Sequence, residues 1–244
     1  MKNYHEDYFY RYSEEQAGEK RKALFFSLLH SVEKIKTVRS LLDVGCGCGY
    51  FMIAAQKKGW QVKGIDPSRQ SAEVAQKLYG LDVVQGTLKD LHCTSVFDVI
   101  TFINSLEHSK EPWRELKIAN RFLAPGGLIL IRSPNAVLHS SICRLSSFFR
   151  ISKQIHPFLV FHQYSFTPKF LRKILWDFGF PKISLTNSPM REGDPNRIFS
   201  GKSIGSIAKI IIRQIASGTE KLSGGKLLLS PSLCIMAEKK HVTD

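Results

Sequence analysis

The order of apolar and polar positions predicts an alternation of helices and strands through the first half of the chain. Leu24, Phe25, Leu28, Leu29 and Val32 recur at helical spacing and predict a helix from about Glu14 to Ile35. Ser40-Leu41-Leu42-Asp43-Val44 is a short apolar run of the kind buried on both faces of a parallel sheet. Tyr50 to Lys58 predicts a helix, Gln61 to Ile65 a strand, Ser68 to Tyr79 a helix and Leu81 to Val84 a strand. Phe97 to Ile103 follows as a strand and Glu111 to Leu123 as a helix. A Pro125-Gly126-Gly127 turn then leads into a strand from Gly127 to Ile131. Strands alternating with helices predict an α/β fold: a doubly wound, mostly parallel sheet with helices on both faces.

The second half is less regular. Asn135 to Ser165 is rich in Ser, Phe, His and Arg and reads as a cap or insertion. Thr167-Pro168 has the form of a helix start, with Thr as N-cap and Pro in the first turn. Phe170, Leu171, Ile174, Leu175 and Phe178 would form one face of that helix, and Gly179 its stop. Late strands are predicted at Lys182 to Thr186 and Leu233 to Ala237. The organisation expected is an N-terminal helical segment or lid (1–37) followed by one α/β domain (38–244). Within that domain, 135–165 and 189–226 are expected as cap or insertion segments.

A hydrophobic content of 43% over 244 residues is enough for a substantial core. The apolar runs are shorter than the roughly 20 residues a bilayer span needs. Met1 to Asp7 is polar and does not read as a secretory signal, so a cytoplasmic location is expected. Of the five cysteines, Cys46 and Cys48 lie in a glycine loop, while Cys93, Cys143 and Cys234 are scattered. None has metal-ligand spacing, and no metal is expected. The net charge of +14 favours an anionic partner of some kind.

The sharpest local signal is Asp43-Val44-Gly45-Cys46-Gly47-Cys48-Gly49, where a strand runs into glycines ahead of a helix. Glycines there permit positive φ and close approach of the backbone to a ligand. Asp66 stands about 20 residues further on, at the end of the next strand, where a carboxylate can accept hydrogen bonds from both hydroxyls of a ribose. A dinucleotide fingerprint would place its third glycine at position 50, which is Tyr50. The acid just ahead of the glycines, Asp43, suits a ligand with a cationic end.

These residues resemble the first motif of class I S-adenosylmethionine (SAM) dependent methyltransferases, a Rossmann-like fold. Gly64-Ile65-Asp66-Pro67-Ser68 resembles the family's second-strand motif. Phe97-Asp98-Val99-Ile100 with Leu106-Glu107-His108 resembles the fourth-strand region, and Leu123-Ala124-Pro125-Gly126-Gly127 the turn before the fifth strand. The match runs in order from Ser40 to Pro134. The Leu-Glu-His variant is similar to the group that includes ubiquinone-biosynthesis methyltransferases and enzymes associated with surface polysaccharides. Phe161 to Pro168 and Phe178-Gly179-Phe180 are more loosely similar to the latter. The resemblance implies SAM as cofactor, with Asp43, Gly45, Cys46, Gly47, Gly49, Asp66, Pro67, Thr87, Asn104 and Ser105 around it. Thr87 departs from the pattern: the family often has an acid there, and Asp90 or a backbone amide is the alternative contact for adenine.

Methyl transfer is an in-line displacement that needs alignment and exclusion of water. A hydroxyl acceptor also needs a base. His108 and His162 are the candidate bases, because imidazole titrates near neutral pH. Glu107 is a third catalytic candidate, to orient a neighbour or bond the loop. The aromatic run Tyr8-Phe9-Tyr10-Arg11-Tyr12 is expected either as a lid or as core packing.

The acceptor expected is a small molecule, a glycan or a lipid-linked compound, methylated on oxygen. The basic segment Ile204, Ile207, Ala208, Ile211 and Ile215, with Lys202, Lys209 and Arg213, is a candidate for an anionic membrane surface, or for a helix packed on its own domain. A pI near 9.6 keeps an RNA methyltransferase open, although no Asn-Pro-Pro-Tyr-like motif or RNA-binding module is present. A non-catalytic binding protein on the same fold is the remaining alternative.

Overall fold

The computed structural model describes residues 19–37, 39–92, 96–148, 163–188 and 214–241. The chain opens with α1 (Glu19–Glu33), followed by β1 (Ser40–Val44), α2 (Tyr50–Gln56), β2 (Gln61–Asp66), α3 (Arg69–Tyr79) and β3 (Val83–Gln85). A 3-10 turn at Leu88–Asp90 leads to β4 (Phe97–Ile103), and another at Leu106–His108 leads to α4 (Pro112–Phe122). Then come β5 (Leu123–Pro134), α5 (Ala136–Phe148), α6 (Pro168–Asp177), β6 (Lys182–Asn187), α7 (214–222) and β7 (Ser232–Glu238).

The seven strands form one sheet in the order β3-β2-β1-β4-β5-β7-β6. The first five are parallel, and β7 runs antiparallel between β5 and β6. This is the doubly wound, mostly parallel sheet that the sequence predicts. The chain moves outward from β1 through β2 to β3, then returns to the other side of β1 as β4. Ligands of such sheets lie beyond the carboxyl ends of the strands at that reversal, here β1 and β4.

Strand periodicity sorts the core into two faces. Leu41, Val99, Leu128 and Leu130 pack with Leu24, Phe25, Leu28 and Leu29 of α1 and with Phe51 and Ala55 of α2. Leu42, Ile100, Ile129 and Ile131 pack on the opposite face with Leu116 and Ala119 of α4 and Leu171 and Leu175 of α6. A smaller cluster joins α3 to the glycine loop through Cys46, Met52, Ala72, Ala75 and Leu81.

The helix ends follow their capping chemistry. The Ser68 hydroxyl accepts from the Ser71 amide at 3.3 Å to open α3, which stops on Gly80 at φ 63°. The Thr167 hydroxyl accepts from the Phe170 amide at 3.2 Å, Pro168 opens α6, and Gly179 adopts φ 86° just beyond it.

The structure differs from the sequence expectation in two places. Strand β5 begins at Leu123, so the Pro125-Gly126-Gly127 turn interrupts its start instead of preceding it. The register against β4 shifts there, between Phe97 and Val99. Within the expected cap, Ala136–Phe148 is a helix. It starts where Asn135 turns the chain: the Asn135 side chain accepts from the Val137 amide at 3.1 Å and donates to the Leu228 and Ser230 carbonyls at 2.9 and 3.0 Å.

Helix α1 is part of the same core as the central strands, since Leu28 and Leu29 are fully buried against it. Leu29→Ala is therefore expected to lower stability by about 2–5 kcal/mol in urea unfolding. A loss within about 0.5 kcal/mol would show that α1 adds little to the fold.

Candidate active site

The glycine loop is held open by close packing on both sides. Gly45, Gly47 and Gly49 all have positive φ, at 73°, 55° and 80°. A Cβ on Gly45 would lie 2.3 Å from the Ser105 Cβ, and one on Gly49 would lie 2.2 Å from Leu81 Cδ1. The loop is therefore packed at Gly45 against the residue just beyond β4 and at Gly49 against Leu81 ahead of β3, with no room for a side chain at either glycine. The Ser105 hydroxyl donates to the Val44 carbonyl at 2.6 Å, which ties the end of β4 to the end of β1.

Two carboxylates flank this loop. Asp66 accepts from the amides of Gly47 at 2.7 Å and Ser68 at 2.9 Å, so the loop and the start of α3 hold it from both sides. Asp43 is buried in β1 and accepts from the Thr101 hydroxyl at 2.6 Å. Burial pushes the Asp43 carboxyl up to about 7; the Thr101 bond pulls it down and the Asp66 charge pushes it further up. Cys46 is buried, its sulfur 2.7 Å from where a Gly64 Cβ would be, and burial pushes its thiol well up. It is a packing residue, not a nucleophile. Pro67 is exposed beyond Asp66.

The ends of β4 and β5 form the other wall. Asn104 is the one non-glycine residue with positive φ among the described residues, at 53°. Its amide donates to the Arg132 carbonyl at 2.8 Å, and its side-chain oxygen accepts from Arg132 Nη1 at 2.5 Å. Arg132 is fully buried and also donates from Nε to the Ser188 hydroxyl at 2.8 Å. Glu107 is sealed under the 3-10 turn, and neither carboxylate oxygen has a hydrogen-bond partner. Burial pushes its carboxyl up to about 7, with the Arg132 charge and Ser133 beside it pulling down. His108 closes the same turn and is partly exposed.

Thr87 lies apart from this group, at the end of β3. Its hydroxyl and amide both donate to Asp90, at 2.9 and 2.8 Å, and these bonds hold the exposed Asp90 carboxyl below its usual range. A Cβ on Gly86 would lie 2.9 Å from the Asp90 Cβ, so Asp90 is the acid that folds back onto this strand end.

Asp43, Gly45, Cys46, Gly47, Gly49, Asp66, Asn104 and Ser105 thus meet at the ends of β1, β2 and β4, with Glu107 and His108 on the adjoining turn. His162, the aromatic run 8–12 and the segment 202–213 lie outside the described residues. Sequence reasoning missed Thr101 and the role of Arg132. Each carries a signal in hindsight: a hydroxyl inside the apolar run Phe97–Ile103, and a cation at the end of Leu128-Ile129-Leu130-Ile131. Among the described residues no cluster of His, Cys, Asp and Glu converges on a metal site.

Residues 11–185 match the methyltransferase domain family. The chain belongs to that family. It carries the class I, SAM-dependent form of the domain. A SAM-dependent methyltransferase from Archaeoglobus fulgidus superposes with a TM-score of 0.61 at 21% identity, covering 94% of this chain and 99% of that one. Magnesium protoporphyrin IX methyltransferase from Synechocystis, solved with S-adenosylhomocysteine, superposes with a TM-score of 0.62 at 14% identity over 96% of this chain and 97% of that one. Among curated proteins, a ubiquinone biosynthesis O-methyltransferase from Idiomarina loihiensis is 35% identical over 107 residues, 40% of this chain and 43% of the relative. One from Psychrobacter arcticus is 27% identical over 168 residues, 62% of this chain and 64% of the relative. The matched regions thus span less than two thirds of these relatives' length.

Two tests follow from the cradle. Gly45→Ala places a Cβ against Ser105 at a dihedral that L-residues avoid. It is expected to cost about 1–3 kcal/mol in thermal unfolding and to weaken binding of adenosyl ligands; a neutral substitution would mean that the two strand ends are not in tight contact. The Asp43 carboxyl is raised in the folded protein, so its contribution to stability is present in acid and is lost as pH rises through about 7. A cationic ligand favours the ionised form. Its affinity is therefore expected to rise as pH passes through about 7, and Asp43→Asn should flatten that rise in calorimetric titrations.

Proposed function

We propose that the protein transfers a methyl group from SAM to an oxygen of a small-molecule acceptor, through the cradle of Asp43, Gly45, Gly47, Gly49 and Asp66. The observation that carries this reading is the pair of carboxylates flanking a loop of three positive-φ glycines, with no cation beside Asp43 among the described residues. Such a cradle fits a ligand with a ribose at one end and a positive charge at the other. SAM supplies an electrophilic methyl group on a sulfonium. In this reading Asp66 accepts from the ribose hydroxyls, Asp43 offsets the ligand's positive charge, and Asp90 or Thr87 meets the adenine edge. Cys46 and Ser105 support the loop, Pro67 borders the ribose end, and Asn104 shapes the floor between donor and acceptor.

His108 is the proton acceptor for the acceptor hydroxyl in this reading, because it is the partly exposed group on the turn. Glu107 is fully buried, and its role is to hold the turn's charge and position beneath His108. His162 remains a second candidate base. The names of the curated relatives support oxygen as the acceptor atom. Phenolic, glycan and lipid-linked acceptors belong in the same screen. The RNA reading and the non-catalytic reading predict different outcomes in it.

The first measurement is calorimetric titration with SAM, S-adenosylhomocysteine and NAD. Binding of the first two, lost in Asp66→Ala, supports the cradle; a folded protein that binds neither overturns it and favours a non-catalytic role. With an acceptor in hand, His108→Ala is expected to lower kcat by about 100-fold or more at unchanged SAM affinity. If His108→Ala and His162→Ala both retain full kcat, no histidine base operates here. Methyl transfer to RNA that weakens steeply with salt would replace the small-molecule reading.

A further inference from the structure

The face of the molecule made by α4 and α6 carries a second feature, away from the strand ends. Both helices bury Leu116, Ala119, Leu171 and Leu175 in one cluster against the sheet, so their remaining faces point outward together. They are tied at both ends. The Asn120 side chain donates to the Phe178 carbonyl at 2.8 Å, and the Trp113 and Tyr164 rings meet edge-on at 5.8 Å.

The outward face alternates apolar and cationic side chains. Trp113 and Phe170 are each 44% exposed and Trp176 is 63% exposed. Arg114, Lys117 and Arg121 recur at three- and four-residue spacing along α4, a stripe on one side of the helix. Together with Trp113, Ile118 and Phe178 they line a groove of about 520 Å³. Lys169, Arg172 and Lys173 are exposed on α6. The carboxylates on this face, Glu111 and Asp177, are each already paired, Glu111 with Lys89 and Arg114 and Asp177 with Lys173. Among the described residues Lys117, Arg121 and Arg172 have no anionic partner.

We infer that the α4–α6 face docks on an anionic lipid bilayer. Indoles rest at the level of the headgroups, where an apolar ring and a polar N–H are both satisfied. Cations interleaved with them gain from the negative surface potential of anionic lipid. The two features occur here on one exposed face, which is the pattern of an interfacial surface and not of a span. No helix among the described residues is long and apolar enough to cross a membrane. A second copy of the chain is a poor occupant, because a two-fold contact would set this cationic face against itself. Single-stranded nucleic acid binds along a groove floored by ring faces. Here Trp113 turns its ring edge-on to Tyr164, and Trp176 projects from the other helix. The inference does not depend on which acceptor the protein methylates.

Two of the three tryptophans, Trp113 and Trp176, make the face directly observable, since Trp60 is buried and reports nothing from the surface. The test mixes the full chain with vesicles of phosphatidylglycerol and phosphatidylcholine, and with pure phosphatidylcholine, at low and high salt. Sedimentation with the anionic vesicles at low salt is expected, with a blue shift of tryptophan emission. Lys117→Glu with Arg121→Glu is expected to lower partitioning by about tenfold or more. Trp113→Ala with Trp176→Ala removes both surface reporters and is therefore read by sedimentation: partitioning is expected to fall while SAM affinity stays unchanged. Failure to bind anionic vesicles overturns the proposal. So does vesicle binding that both double variants retain, which would assign it to another surface. RNA binding that the same variants abolish, without vesicle binding, would assign the face to nucleic acid instead.

Discussion

Asp43 is buried at the end of the central strand with a threonine hydroxyl, and no cation, as its hydrogen-bond partner. A carboxylate in that setting is costly as an anion, which is why burial carries its titration up to about 7. The strand ends around it are arranged to make that position possible. Thr101 is brought beside it by the β1–β4 register, and on the other side the register places Gly64, which has no side chain to intrude. The glycine loop then turns away at once, and its amides go to Ile65 and to Asp66. In the proposed reading the charge of Asp43 is offset by the ligand.

The buried cation nearest in the sheet does not perform that task. Arg132 extends the same face of β5, and Asn104 and Ser188 accept two of its hydrogen bonds. Among the described residues the ends of β1 and β2 carry the buried Asp43 and Asp66, and the end of β5 carries Arg132 beside the buried Glu107. In the proposed reaction a cationic donor group is favoured beside Asp43 and Asp66.

What the sequence made legible was whatever is local. Helical and strand periodicity located the parallel strands, because each carries a short apolar stretch whose alternate residues reach opposite faces. The start and stop of α6 were readable because Thr167, Pro168 and Gly179 act within a few residues of themselves. The glycines and Asp66 were readable from their spacing. Thr101 and Arg132 were not, since their significance rests on partners 58 and 28 residues away in the chain, across strand pairings no periodicity reveals. Helix α5 was hidden for a similar reason. Its Ser- and His-containing sequence has no strong apolar face, and Asn135 fixes its start through carbonyls more than 90 residues further on.

The strand ends and the α4–α6 face meet at Tyr164. Its amide donates to the Glu107 carbonyl at 3.1 Å, its hydroxyl donates to the Lys110 carbonyl at 3.1 Å, and its ring touches Trp113. The turn that carries Glu107 and His108 is therefore fastened to the residue at the rim of the aromatic, basic face. Both helices start at that rim, because α4 follows β4 and α6 follows the segment that bridges Phe166 to Asn135 at the end of β5. A surface lying against this face would have its edge beside the crevice instead of covering it. In the proposed arrangement the sheet presents its strand ends to the cofactor and its helix layer to the lipid surface, and Tyr164 joins the two.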